Sequence, residues 1–369
     1  MPITTIQSLR THLQWALELE HATIPPYLCA LYSIPDGQNV MVSGLIRSVV
    51  MEEMLHMVLA ANLLNAVGGE PDVCHRKFVP AYPTYLPHSD RAFKVHLRPF
   101  GKEAIATFLR IERPMKPNAK PRASRYHTIG QFYSAIREGM ELLEGRARKR
   151  GATIFTGRRG RQVDGAAWYY GGGGKPMMVH DLDSARAALG EIMEQGEGLD
   201  HTIFDGDDRF GQVDELAHYF RFHEVMSGRR YLPSDTPAGG PTGPELPVDW
   251  TARYPMQLDP KVKPYRRQPE VHRLMTEFNR VYSTLLRQLH GAFNGRPALL
   301  RDAVPLMYDL KYRAQALMAI PTGKADGSTV GPSFELVAAA RPVRRSGGRA
   351  PKGSPPAAQR RRSAPRRRS

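Results

Sequence analysis

Cysteine is nearly absent. The 369 residues hold two, Cys29 and Cys74, which excludes a disulfide scaffold. No stretch of roughly 18 consecutive apolar residues occurs either, which excludes an ordinary membrane-spanning helix. The opening residues, Met1 to Thr5, lack the cationic start and apolar stretch of a secretory signal, so a cytoplasmic location with no membrane attachment is expected. Strand signal is weak, and no internal repeat recurs at a fixed period. Acidic residues are missing from Arg341 to Ser369, where ten arginines and one lysine account for +11 of the formal +16. The rest of the chain carries only +5, ordinary for its size, so the charge does not mark a specific nucleic-acid binder. Rich in Pro, Ser, Gly and Ala as well, residues 336–369 cannot bury a core. They are expected to be disordered and to meet polyanions without sequence preference.

What remains is helical. With 41% hydrophobic and 24% charged side chains, residues 1–335 have material for an ordinary core and read as one all-α domain. Apolar residues recur at spacings of three and four over about 5–31, 43–67, 183–198, 213–226 and 269–320. Further helices are expected at 102–111 and 129–144. Long excursions separate them: proline-punctuated residues 70–99, a basic and then glycine-rich insertion over 146–176, and residues 227–268.

Two of these helices carry the same device. Glu53 and His56 stand three apart on the inward stripe of the second helix, beside Ile46, Val49, Val50 and Met57. Glu215 and His218 repeat the spacing, with Phe222 one turn on. A carboxylate on a core-facing stripe is costly unless something cationic meets it, and a metal ion bound by the adjacent imidazole would do so. Glu52 points elsewhere and is the weaker candidate. A third pair, Glu18 with His21, lies off the apolar stripe and reads as solvent-facing. Glu20 interrupts the stripe between Leu17 and Ile24, ahead of Pro25 and Pro26, which free the carbonyls of His21 and Ala22 and predict a kink. Near the end of the 183–198 helix, Glu197 is the favoured fourth carboxylate and Glu194 its rival. In chain order this gives Glu, Glu-x-x-His, Glu, Glu-x-x-His. That is the ligand set of dinuclear carboxylate bundles: Glu20, Glu53, His56, Glu197, Glu215 and His218 around two divalent ions. Such ligands suit iron or manganese better than copper, and zinc is compatible.

The runs His21 to Leu28, Glu52 to Met57, Gln195 to Gly198 and His218 to Phe222 resemble the ferritin-like domain of the iminophenyl-pyruvate dimer synthase family. That family includes large enzymes of violacein- and rebeccamycin-type pathways. The resemblance covers about residues 5–320. It implies a ferritin-like four-helix bundle with long loop excursions and additional C-terminal helices, holding a pair of metal ions, most simply iron. It also implies an oxidase or oxygenase of secondary metabolism with dioxygen as co-substrate. The substrate class implied is an imine from an aromatic amino acid, which an amino-acid oxidase would supply. Tyr27, Tyr219, Arg221 and Phe222 are the candidate substrate contacts, although aromatics at such positions are more often core. Residues 70–99, with His75, Tyr82, Tyr85 and His88, would form a lid, and a third metal there is a minor alternative. The rival readings are a non-catalytic or iron-sequestering ferritin-like protein, a substrate binder without turnover, and a metal-free helical scaffold whose basic tail meets nucleic acid. Oligomeric state is left open.

Overall fold

The computed structural model describes residues 2–165, 173–198, 202–206 and 215–338. Eight α-helices appear among them: α1 Ile6–Ser33, α2 Val40–Ala66, α3 Lys102–Ile111, α4 Ile129–Arg148, α5 Leu182–Glu197, α6 His218–Ser227, α7 Pro269–Phe293 and α8 Leu299–Met318. Only single β-bridges, such as Thr84 with Val95, join extended segments among the described residues. No helix there is long and apolar enough to cross a membrane. The chain divides into Met1–Val337 and Ala338–Ser369, and the arginine-rich tail falls outside the described residues.

Local chemistry sets the helix starts. Thr5 caps α1 by accepting from Ser8 N at 3.1 Å, and Thr128 caps α4 by accepting from Gln131 N. Asp181 and Ser184 form a reciprocal capping box on α5, each satisfying an amide the helix leaves unpaired. Gly198, at φ 95°, ends α5 in a conformation that side-chain-bearing residues avoid. α1 runs through Pro25 and Pro26. The Ala22 carbonyl, which Pro26 has no amide to meet, instead accepts from Tyr82 Oη at 2.8 Å.

α1 packs along α2, α2 against α5, α5 against α4, and α4 back against α1, closing a ring of four helices. The fourth wall is therefore α4 rather than the His218 helix that the sequence suggested. α6, only ten residues long, pairs with α3 and touches α2 and α5. The hairpin of α7 and α8 lies on α2 through α7 and on α1 through α8.

Residues 70–99 lie along α1. Phe78 packs on His21 with ring centroids 4.5 Å apart, and His88 stacks on Trp15 at 3.7 Å. His21 departs from expectation. Glu18 is partly exposed and pairs with His88 at 3.0 Å, but His21 is buried, its Nε2 2.6 Å from Tyr282 Oη. Tyr282 of α7, together with Phe78, closes over the side of α1 that the stripe alone left open.

Candidate metal centre

Five side chains converge inside the bundle. Glu20 comes from α1, Glu53 and His56 from α2, Glu112 from the residue that caps α3, and His218 from the first position of α6. They form two groups, Glu20–Glu53–His56 and Glu53–Glu112–His218, each with its donor atoms within 4.8 Å of one another. All five are buried, and Glu53 belongs to both groups. Its Oε1 lies 4.0 Å from His56 Nδ1 and 3.1 Å from His218 Nδ1. The two imidazoles stand 5.4 Å apart, centroid to centroid. The histidines of residues 70–99 join no such group among the described residues.

A second layer holds these groups in place. His56 Nε2 lies 2.9 Å from Gln195 Oε1 on α5, and His218 Nε2 lies 2.9 Å from Glu52 Oε2. Donation outward through Nε2 leaves Nδ1 of each ring aimed at the carboxylates, the arrangement by which outer partners orient a ligating histidine. Glu52 is in turn met by Arg221 Nη1 at 2.7 Å. Tyr133 donates to Glu20 and Tyr27 to Glu112, while Thr23 Oγ1 sits 2.8 Å from Glu53 Oε2. Burial first, then the adjacent carboxylates, raises both phenols well above their usual range, so they remain donors.

Buried acids this close cannot all be charged without cations. Burial, and then the Glu112 charge, pushes Glu53 up to about 8. Burial opposes protonation of His56 and His218, yet Glu20 raises the first, and Glu112, Glu52 and Glu53 raise the second well above its ordinary value. Glu52 goes the other way: against burial, Arg221 and His218 hold it down at about 2. The residues present fit a metal pair. His218 Nδ1 is buried and has no hydrogen bond of acceptable geometry, although two carboxylates surround it at 3.1 and 3.6 Å. Three acids and two imidazoles make a donor set that suits divalent iron or manganese.

The sequence placed Glu20, Glu53, His56 and His218 together, and the structure brings them together. It does not bring Glu215. That residue lies in an extended segment, where Leu216 bridges Phe204 and the Glu215 carbonyl accepts from Asp205 N at 2.9 Å. Helical stacking three residues before His218 therefore does not apply. Its side chain is 52% exposed and pairs with Arg221 at 3.1 Å.

Glu197 also stands outside both groups. Its carboxylate accepts from Gly130 N at 2.7 Å and Met115 N at 3.0 Å, and burial raises it to about 7. Its half-buried rival Glu194 is likewise in neither group. Glu112 takes the acidic place instead. A signal for it existed: Ala104, Ile105 and Phe108 are buried on α3, and Glu112 continues that stripe one turn beyond Phe108, as Glu20 interrupts the stripe of α1.

The four side chains suggested for substrate are placed as follows. Tyr27 and Phe222 pack edge to face at 5.3 Å beside Glu112. Arg221 stands behind His218 and is engaged by Glu52, Asp205, Glu215, Ser48 and the Leu216 carbonyl. Tyr219 stacks on His223 and packs edge-on against Phe220, in a small cluster with Ile203 and Ala217.

The ferritin-like family profile matches residues 13–227. Two curated proteins align along most of the chain. Dichlorochromopyrrolate synthase of Lentzea aerocolonigenes is 25% identical over 91% of this chain and 36% of its own length. 2-Imino-3-(indol-3-yl)propanoate dimerase of Chromobacterium violaceum is 28% identical over 88% of this chain and 33% of its own length. The chain thus spans about a third of the length of these relatives. A crystal structure of a ferritin-like protein from Caulobacter vibrioides superimposes with a TM-score of 0.60 at 23% identity. It covers 90% of this chain and all of that one, a likeness of fold.

Proposed function

The chain belongs to the ferritin-like family, and from that premise we propose that it is a non-haem dinuclear-metal oxidoreductase. Two iron ions are the proposed cofactor, dioxygen the co-substrate, and a small imine derived from an aromatic amino acid the substrate. The observation that carries this reading is Glu53, a buried carboxylate shared by two three-residue groups that each end in an imidazole. Glu20, Glu53 and His56 would hold one ion, and Glu53, Glu112 and His218 the other. When bound, the pair supplies the electrons that reduce dioxygen.

The remaining work belongs to the chain. Tyr133 and Tyr27 fix the orientation of Glu20 and Glu112, and Gln195 and Glu52 fix the imidazoles. The surrounding core of Phe108, Phe222 and Ile192 keeps bulk water, which would hydrolyse an imine, away from the centre. A cavity of about 10 Å³, lined by Glu112, Ile129, Gly130, Ile192, Met193 and Glu197, adjoins the centre. Space of that order takes one water, so an imine reaches Glu112 only if Ile129, Ile192 or Met193 gives way. Free imines hydrolyse, so the supplier is an amino-acid oxidase acting alongside. The relatives' names motivate this substrate class: one is a synthase, and the other dimerises an indolyl imino acid.

Anaerobic titration of chelator-treated protein with ferrous ion should saturate at a pair of ions per chain. Admission of oxygen should then give a transient visible band. With L-tryptophan and an amino-acid oxidase present, mass spectrometry should find an oxidised imine product that boiled protein does not give. Absence of bound metal together with absence of the band would overturn the reading.

A further inference from the structure

An apolar cavity lies away from the carboxylates. It has a volume of about 280 Å³ and is walled by α1, α2, α7 and α8. Ile24, Leu28 and Met54 line it from one side, and Leu286, Met307 and Phe334 from the other. None of the five residues of the candidate centre lines it. The helical period explains the separation. On α1 the centre uses positions 20, 23 and 27, whereas the cavity uses 21, 24, 25 and 28. On α2 it uses 53 and 56, whereas the cavity uses 50, 54 and 57. The two sets stand on different faces of the same helices.

One buried ring nitrogen among the lining side chains stands without a partner. His21, 3% exposed, is among the lining residues, and its Nδ1 has no hydrogen-bond partner. Its Nε2 meets Tyr282 Oη, also a lining residue, at 2.6 Å. Tyr282 is itself buried, and a buried hydroxyl hydrogen left unpaired is costly. The arrangement that satisfies it has Tyr282 donate to Nε2. Nδ1 then carries the other ring hydrogen, a donor that lacks an acceptor. Apolar pockets with a few placed polar groups are the usual form of small-molecule sites. An engineered apolar cavity of about 150 Å³ admits benzene, so this one has room for a bicyclic ring.

We propose that the cavity between α1, α2, α7 and α8 is a second ligand site, distinct from the carboxylate centre, for a small planar aromatic molecule whose acceptor oxygen or nitrogen bonds His21 Nδ1. Of its lining residues, Gly37, Val40 and Tyr308 are exposed, so the ligand enters from solvent without passing the centre. The site stands whether or not the metal reading holds.

The probes are 1-indanone and indane, which share a bicyclic skeleton and differ by one carbonyl. Titration calorimetry on the whole protein should show saturable binding of 1-indanone, about tenfold tighter than indane, the worth of one buried hydrogen bond. His21→Phe should bring the two probes to equal affinity. Met307→Trp, on half-buried α8 surface far in sequence from His21, should abolish both while leaving the helical circular dichroism unchanged. Three results overturn the proposal: neither probe binds the folded wild-type protein, indane binds as well as 1-indanone, or Met307→Trp binds both undiminished.

Discussion

Two faces of the same helix pair carry opposite chemistry. The face of α1 and α2 turned to α3 and α6 buries Glu20, Glu53 and His56, with Glu112 and His218 brought up against them. The face turned to α7 and α8 is lined mainly by leucine, isoleucine, methionine and proline around His21 and Tyr282, with the charged Asp36, Arg47 and Lys311 also in the lining. On the first face every buried charge has a partner: Tyr133 on Glu20, Thr23 on Glu53, Tyr27 on Glu112, Arg221 on Glu52. On the second, a single unpartnered nitrogen stands in an apolar wall. Charge enters a core where a layer of counter-groups is built behind it, and a helix delivers that layer on one face while leaving the next face apolar.

The largest effect should come from Glu53→Gln, which removes the carboxylate common to both groups. Elemental analysis should find neither ion retained. The chelator-treated variant should unfold within a few degrees of the chelator-treated wild type, because Glu53, raised to about 8, is already mostly protonated there at neutral pH. Arg221→Ala comes next. It leaves Glu52 buried without its cation, a loss of about 3–5 kcal/mol that urea unfolding would register. An equally stable Arg221→Ala protein would mean that the counter-layer is dispensable.

pH separates the two faces further. Unfolded, Glu53 titrates near the ordinary 4.5, but folded near 8. The metal-free native state therefore binds more protons than the unfolded chain between those values. Its stability is greatest below the lower one and is lost as pH rises toward the upper. His56 and His218, both raised, act in the same direction. Metal binding displaces those protons, so affinity should rise with pH over the same window. Urea unfolding of chelated and loaded protein at pH 6 and pH 8 should show the two trends diverging, and parallel trends would contradict the centre. The smallest effect belongs to Glu215→Ala. It removes a half-exposed carboxylate from an arginine that keeps Glu52 and Asp205, a loss of about 1 kcal/mol, and should leave both ions bound, whereas Glu112→Ala should cost one of them. The reverse result would restore the sequence's first choice of ligand.

Much of the centre could be read without coordinates. Glu20 and Glu53 were legible because each sits where an apolar side chain was due, and helix geometry then fixes His56 beside Glu53. His218 was found through a pairing with Glu215 that the fold does not use, since α6 begins only at His218. Glu112 continues the buried stripe of α3, but it caps that ten-residue helix from just past its end, and nothing local says that this end meets α6. His21 looked exposed on a helical wheel and is buried because α7, some 260 residues along the chain, puts Tyr282 against it.

The sequence by itself determined the all-α class, the inward faces of α1 and α2, and the supply of carboxylate and imidazole on them. Those follow from periodicity, which acts within a few residues. The fold alone decided that α4 closes the bundle, that Glu112 rather than Glu215 or Glu197 joins Glu53, and that an apolar cavity lies on the neighbouring face. Each of these depends on which distant helix ends meet, and that is set by burial of whole faces against one another rather than by any spacing along the chain.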